Sequence, residues 1–167
     1  MSDEQNNQQA AQAAPVSVNG QYIKDLSFEV PGAPQIFTEL NKGAPEIPIN
    51  VDIRAQPLGQ NLYEVALHFN IESKVQGKTV FIVELAYAGV FTLNVPQEHL
   101  QPMLLIECPR LIFPFARNII ADITREGGFP PLMMQPIDFL ALFRQRVEQA
   151  QAEAAAAEGQ PGNGAGA

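Results

Sequence analysis

Residues 103–126 constrain the fold more than any other segment of this chain. Their sequence, MLLIECPRLIFPFARNIIADITRE, is the longest strongly apolar stretch and is typical of a helix from Arg110 onward. Small and polar residues share one narrow stripe at three- and four-residue spacing, and large apolar side chains cover the rest of the helix. The stripe comprises Arg110, Pro114, Arg117, Asn118, Ala121 and Arg125. An ordinary surface helix buries a single apolar stripe, so we expect this helix to be covered on two sides.

The first cover of this helix is expected to be the chain's own sheet, and the second another copy of the same subunit. The alternative is a helix wholly buried within a monomer, but little apolar sequence remains elsewhere to wrap it. The interpretation with two covers assigns these residues to the core of an oligomer: Ile112, Phe115, Ile119, Ile120 and Ile123. Pro109 and Pro114 each remove a backbone donor, which predicts a break or kink near 108–109 and a bend at Pro114.

Charge and composition exclude several classes of protein. The net charge of −8 opposes direct binding to nucleic acid, which favours a basic surface, and to anionic membranes. No apolar run reaches the roughly 18 residues of a membrane span, and the N-terminus lacks the pattern of a signal peptide. A single cysteine, Cys108, cannot form an internal disulfide, which favours a reduced, cytoplasmic setting.

Four segments alternate apolar and polar residues with the period of a half-buried strand: 21–30, 47–54, 62–72 and 79–93. In the first, one face is predicted to carry Tyr22, Leu26, Phe28 and Val30. Gly89 in the fourth indicates a bulge or a bend. Loops without crossover helices join the segments, which predicts an antiparallel sheet covered on one face.

Helical sequence follows the strands. Asn94 with Pro96 favours a helix start that leads through 98–106 into the central helix, and 138–151 is expected to form a final helix. The predicted fold class is therefore α+β: a four-stranded antiparallel sheet with one long kinked helix and a C-terminal helix packed on one face. We expect a single domain at 19–149, between a disordered tail at 1–18 and a flexible Ala/Gly-rich tail at 150–167.

Candidate catalytic residues are few, and we expect no enzyme, metal or cofactor. His68 and His99 stand apart from any nucleophile, and Cys108 has apolar neighbours that favour an inert, packed thiol. Motifs for nucleotide binding, zinc hydrolysis and serine hydrolysis are missing from the sequence. The remaining enzymatic alternative is an α+β enzyme that uses the acidic sheet face, for instance Asp25 with Glu29.

The uncharged segment 127–137, GGFPPLMMQPI, is unusual for a loop, since loops cross the surface and are normally polar. One interpretation is a connection that plugs the core. The other is a wall of an adaptable apolar groove formed by Phe129, Leu132, Met133 and Met134, because thioethers suit surfaces that accept many partners. A carrier of a small hydrophobic ligand, with this segment as its lid, is a further alternative.

The outer face of the predicted sheet is acidic. By strand alternation it carries Asp25, Glu29, Asp52, Glu64, Glu72 and Glu84, opposed mainly by Arg54. A solvated surface is the ordinary explanation for such a set. A patch of one sign is also how a protein meets a basic partner.

Two stretches, YIKDLSFEVPGAP at 22–34 and CPRLIFPFARNIIADITREGGFPPLMMQPIDFLALF at 108–143, resemble the SecB family of protein-export chaperones. The resemblance implies a homotetramer, a dimer of dimers, with its long helices between two eight-stranded sheets. It also implies a molecular chaperone that binds unfolded precursor proteins in hydrophobic surface grooves and keeps them translocation-competent. Such a chaperone delivers its clients to the SecA motor ATPase of the Sec translocase and uses no cofactor.

The resemblance assigns roles to particular residues. The family's SecA-contacting acids fall on Asp25, Glu29 and Glu84, with Ile82 as their apolar neighbour. Its groove wall falls on 129–137, which contains the four apolar residues of the uncharged segment. The chain departs from the family in its long Gln/Ala-rich N-terminus and in its C-terminal tail, where the family makes a further contact with SecA.

Overall fold

A four-stranded antiparallel sheet forms one layer of the computed structural model, which describes residues 13–158. Its strands are β1 (Val16–Glu29), β2 (Ile49–Gly59), β3 (Leu62–Val75) and β4 (Lys78–Leu93), in the order β1–β4–β3–β2. The tight turn between β3 and β4 places Gln76 and Gly77 at φ of 50° and 77°, a conformation that glycine adopts easily. The predicted α+β class and the antiparallel sheet are confirmed.

Helices form the second layer. A short helix α1 (Ile36–Glu39) and a 3₁₀ turn (Leu40–Lys42) lie between β1 and β2. After the sheet come α2 (Gln97–Pro102), a π-helical turn (Met103–Glu107), α3 (Cys108–Glu126) and α4 (Phe139–Glu158). No helix in the part of the chain that the structure describes is long and apolar enough to cross a membrane.

The prolines alter the winding of the long helix without breaking it at 108–109. Glu107 and Cys108 both keep right-handed helical backbone angles, and the π-helical turn directly precedes Pro109. Pro109 therefore lies in the first turn of α3, where its missing N–H costs least. The irregularity that the sequence indicates is a change from π to α winding at this point.

The core lies between α3 and the inner face of β3 and β4. Ile112, Ala116 and Ile120 of α3 are fully buried against this face. Strand pairing continues in register through Gly89, so this glycine does not form the bulge that was one of the two sequence predictions. A Cβ there would lie 3.0 Å from Cγ2 of Ile112 and 2.7 Å from the ring of Phe91. Glycine is required because the helix approaches the sheet so closely.

A bulge in β1 places one residue on the face opposite to the one predicted for it. The pairing with β4 slips by one residue between Ile23 and Asp25, which inverts the alternation at Lys24. Leu26 and Phe28 face inward as predicted, whereas Tyr22 lies on the outer face and donates a hydrogen bond to Glu64 there.

Regular structure extends beyond both predicted domain boundaries. Val16 pairs with Leu93, so β1 begins within the tail predicted at 1–18. At the other end α4 continues to Glu158, because the Ala- and Glu-rich sequence after residue 149 has high helix propensity. The outer parts of the two predicted tails, 1–12 and 159–167, lie outside the described residues.

Candidate functional site

The segment that joins α3 to α4 is fixed to the end of α3 by Thr124. The backbone N–H of Phe129 donates to the Thr124 carbonyl at 3.1 Å, and that of Leu132 donates to the Thr124 hydroxyl at 2.9 Å. Thr124 is itself fully buried, which protects both bonds from water. A Cβ at Gly127 would lie 2.3 Å from the ring of Phe28, so only glycine lets the chain turn here. The segment therefore has one defined shape.

In that shape the four predicted groove residues differ in their exposure to solvent. Phe129 and Met134 are buried in the core, Leu132 is half-buried, and Met133 is 56% exposed. The Phe129 ring packs 5.1 Å from that of Phe81 and 5.2 Å from that of Phe37. Phe129 and Met134 thus belong to the protomer's own packing.

Met133 borders an open groove with a volume of about 470 Å³. One wall is the connecting segment, with Met133 and Pro136, and the other is α3, with Phe113, Pro114, Arg117 and Asn118. No carboxylate lines this groove, and Met133 contributes an exposed, flexible thioether side chain to it. Such a surface can adapt to different apolar side chains of a bound polypeptide.

The residues predicted to form the oligomer core also differ in their burial within the protomer. Ile112 and Ile120 are fully buried within the protomer, and Ile119 and Ile123 are half-buried. Phe115 is 51% exposed and stacks on Tyr87 with the ring centroids 6.4 Å apart. Ile112 and Ile120 therefore cover the chain's own sheet, and the exposed apolar surface of α3 is carried by Phe115 with Leu111, which the prediction did not include.

The structure brings the predicted SecA-contacting residues together on the outer face of β1 and β4. Glu29 pairs with Ile82, and Ser27 pairs with Glu84, so the residues occupy adjacent strands. Asp25, Glu29 and Glu84 are exposed and Ile82 is half-buried. Within residues 13–158 none of the three carboxylates forms an ion pair. Together these residues define an acidic patch.

The other acids of the predicted outer face are engaged by nearby side chains. Asp52 pairs with Arg54 and Arg146, and Glu72 accepts a hydrogen bond from Thr79 at 2.8 Å. Glu64 is buried and accepts hydrogen bonds from Lys24 at 2.6 Å, from Tyr22 and from Gln56 at 2.9 Å. The hydrogen bonds from Lys24 and Tyr22 hold the pKa of Glu64 below its usual value.

The candidate catalytic residues stand apart from one another. Burial lowers the pKa of His68, and His99 is exposed beside Glu98. Burial also raises the pKa of the Cys108 thiol to about 12, so the thiol is protonated at neutral pH and inert, as the sequence predicts. Among residues 13–158 no three His, Cys, Asp or Glu side chains are grouped as metal ligands.

The sequence analysis missed two residues that contact the connecting segment. Phe37 of α1 is 39% exposed and stacks on Phe129, and Thr124 fixes the connecting segment. A threonine among isoleucines on the inward side of a helix was the available signal, since a buried hydroxyl requires a partner.

Comparison with known proteins identifies the family of this chain. The family described as preprotein translocase subunit SecB matches residues 8–150. The protein-export protein SecB of Rhodospirillum rubrum is 62% identical over 146 residues, which cover 87% of this chain and 91% of that protein. That of Paramagnetospirillum magneticum is 60% identical over 138 residues, which cover 83% and 89%. The fold is shared by a solved SecB-like chaperone of Mycobacterium tuberculosis in complex with an antitoxin peptide. The two structures have a TM-score of 0.58 and 17% sequence identity, and the match covers 75% of this chain and 93% of that one. The chain belongs to the SecB family.

Proposed function

We propose that this chain is a protein-export chaperone that holds unfolded precursor proteins in the cytoplasm and delivers them to the SecA motor ATPase. The observation that carries the proposal is the exposed apolar groove beside Met133 in a member of the SecB family. The groove is an open surface feature that admits a passing polypeptide, whereas a carrier of small ligands encloses its cargo.

Client binding follows from the apolar wall of the groove. An extended client segment that buries several hundred Å² gains several kcal/mol of binding free energy, at ~25 cal/mol per Å². The entropy lost when the client segment becomes ordered reduces this gain. Several grooves on one assembly multiply weak contacts into tight holding. Because the groove binds only unfolded chain, it opposes folding of the client by mass action.

The acidic patch is the proposed contact with SecA. Asp25, Glu29 and Glu84 are exposed and form no ion pair within the described residues, and Ile82 supplies an apolar side chain beside Glu29 at one end of the patch. A patch of this kind suits a basic partner surface, which it attracts over a distance of about a Debye length, ~10 Å at moderate salt.

The proposed assembly is a homotetramer, arranged as a dimer of dimers. Exposed apolar side chains on α3 and on β1 support it, because water-exposed Phe115, Leu111 and Ile23 would be buried by a second copy.

Suppression of aggregation tests the proposed function. The parent protein should prevent aggregation of a reduced, unfolded polypeptide and leave the native form of that polypeptide unbound. Met133→Asp should weaken this protection, because the groove wall gains a solvated charge. Leu58→Asp is the matched control, since Leu58 is a similarly exposed apolar residue in β2 that does not line the groove. Equal protection by parent and Met133→Asp would make the segment a mere connection.

A further inference from the structure

Arg117 of α3 differs from the paired arginines of the protein. Arg54, Arg110, Arg125 and Arg146 each form an ion pair with a carboxylate. Arg117 is half-buried and forms no such pair within residues 13–158. Its Nε is shielded from water and has no hydrogen-bond partner there. The terminal amino groups Nη1 and Nη2 are therefore the donors through which Arg117 can contact a molecule bound in the groove that it lines.

The guanidinium lies in the groove beside Met133. Phe113, Pro114 and Pro136 provide apolar surface around it, and Asn118 is the other polar residue of the lining. Since each residue of a helix is rotated by about 100° from the last, Arg117 and the exposed Phe115 point to nearly opposite sides of α3. Arg117 therefore faces the groove and lies away from the apolar surface that we assign to subunit contacts.

Guanidinium chemistry limits what this groove can hold. Arginine donates hydrogen bonds and accepts none, so its partner atom is an acceptor oxygen. A folded protein uses nearly all of its backbone carbonyls internally, whereas an extended polypeptide offers a free carbonyl at every residue, about 3.3 Å apart. An extended chain also sends alternate side chains toward opposite sides, which would place apolar side chains against Met133 and a carbonyl at Arg117.

We infer that Arg117 donates hydrogen bonds to a backbone carbonyl of the extended client in this groove. The inference rests on the proposed function and adds the recognition element: an arginine that distinguishes unfolded from folded polypeptide without regard to its side chains. An apolar wall alone would not make that distinction, because folded proteins also expose apolar patches.

Arg117→Met tests the inference, because methionine keeps an apolar stem and removes every donor. Binding is measured by titration with an uncharged, apolar, extended peptide. The Kd should rise about tenfold or more in the variant, the usual effect of losing a hydrogen bond from a charged donor. Arg125→Met is the matched control on the same helix: Arg125 is exposed, pairs with Asp122 and Glu126, and should leave the Kd unchanged within twofold.

A second measurement varies the peptide and compares its effect on the parent and on Arg117→Met. Replacing a single amide bond of the peptide by an ester removes one N–H and weakens the adjoining carbonyl as an acceptor, and the comparison isolates the part that depends on the guanidinium. At one position or two, the ester should weaken binding to the parent severalfold and have no further effect on Arg117→Met. Esters that act equally on both proteins, or on neither, would overturn the inference.

Other outcomes would identify a different hydrogen-bond acceptor for the Arg117 guanidinium. A loss of affinity confined to acidic peptides would make the acceptor a client carboxylate and refute the role of the backbone. Dissociation of the assembly by Arg117→Met, seen by native mass spectrometry, would place the acceptor on a second subunit and refute it as well. Failure of the parent itself to bind any unfolded peptide would instead reject the proposed function.

Discussion

Replacement of Glu64 by glutamine should weaken the sheet, because one buried carboxylate joins side chains from three strands. Tyr22 and Lys24 belong to β1, Gln56 belongs to β2, and Glu64 lies on β3. Tyr22 and Lys24 reach Glu64 across β4, which separates β1 from β3 in the sheet. The network therefore ties β1 to β2 and β3, two strands with which β1 shares no backbone hydrogen bonds.

The size of the effect follows from burial and charge. The Glu64 side chain is only 9% exposed, and Lys24 Nζ lies 2.6 Å from its Oε1. A hydrogen bond to a charged group contributes about 1.5–3 kcal/mol, and glutamine retains one acceptor oxygen but no charge. Lys24, with its side chain 44% exposed, can turn toward water in the variant. We expect a loss of about 2 kcal/mol in the free energy of unfolding, or roughly 4–8 °C in Tm.

The loss should depend on pH in a defined window. The pKa of Glu64 lies below its usual 4.5, so the contribution of the carboxylate is full above that pH and is lost as the pH falls through the folded-state pKa. The hydrogen bond to Glu64 raises the pKa of Tyr22 from 10.0 to about 12, so the contribution of the phenol is full below pH 10 and declines above it. The difference between parent and variant should therefore be constant between about pH 6 and 9 and shrink outside that range.

Urea unfolding followed by circular dichroism measures this difference. Protomer concentration is held fixed, since assembly makes apparent stability depend on it. Glu72→Gln is the matched control on the same strand and face: its side chain is 38% exposed, and the change should cost under about 0.5 kcal/mol. Equal losses for the two variants, or a full difference at pH 3, would refute the assignment to the buried network.

Three further substitutions separate the surfaces of the protomer. Ile120→Asp should abolish the folded circular dichroism spectrum, because an unpaired carboxylate at a fully buried site costs several kcal/mol. Phe115→Asp should keep that spectrum and dissociate the assembly in native mass spectrometry; an intact tetramer would contradict the subunit contact assigned to this exposed ring. Glu84→Lys should stay within about 0.5 kcal/mol of the parent in stability, bind unfolded client normally and bind SecA at least tenfold more weakly at low salt. Equal affinity of the parent and Glu84→Lys for SecA at low salt would show that the acidic patch is an ordinary solvated surface.

Sequence periodicity predicts the strands of this fold because one face of the sheet is buried and the other is not. It fails at Tyr22, where a single extra residue in β1 inverts the alternation. The bulge depends on how β1 pairs with β4, a contact between distant parts of the chain that no local pattern contains. Gly89 illustrates the same limit: the sequence marks an irregular position, and only the packed helix explains it.

The connecting segment was open to two interpretations, a plug for the core or a wall for a groove, and its residues divide between them. Phe129 and Met134 pack inward, and Met133 points outward. The division is set by two hydrogen bonds to Thr124, a residue of the preceding helix. Composition predicts that such a segment is apolar, but the direction of each side chain depends on these bonds to the end of α3, which the apolar pattern does not contain.

Separation of the two proposed binding surfaces follows from the layered fold. The groove at Met133 lies on the helical side of the sheet, and the acidic patch at Glu84 lies on the outer face of β4. Under the proposed function, a client and SecA would therefore contact different residues of one protomer. Release of the client to SecA then requires a change that weakens the groove, since binding at the patch displaces nothing there directly. The groove lies between α3 and the connecting segment, which two hydrogen bonds hold to Thr124, so such a change has to alter the packing of these two elements.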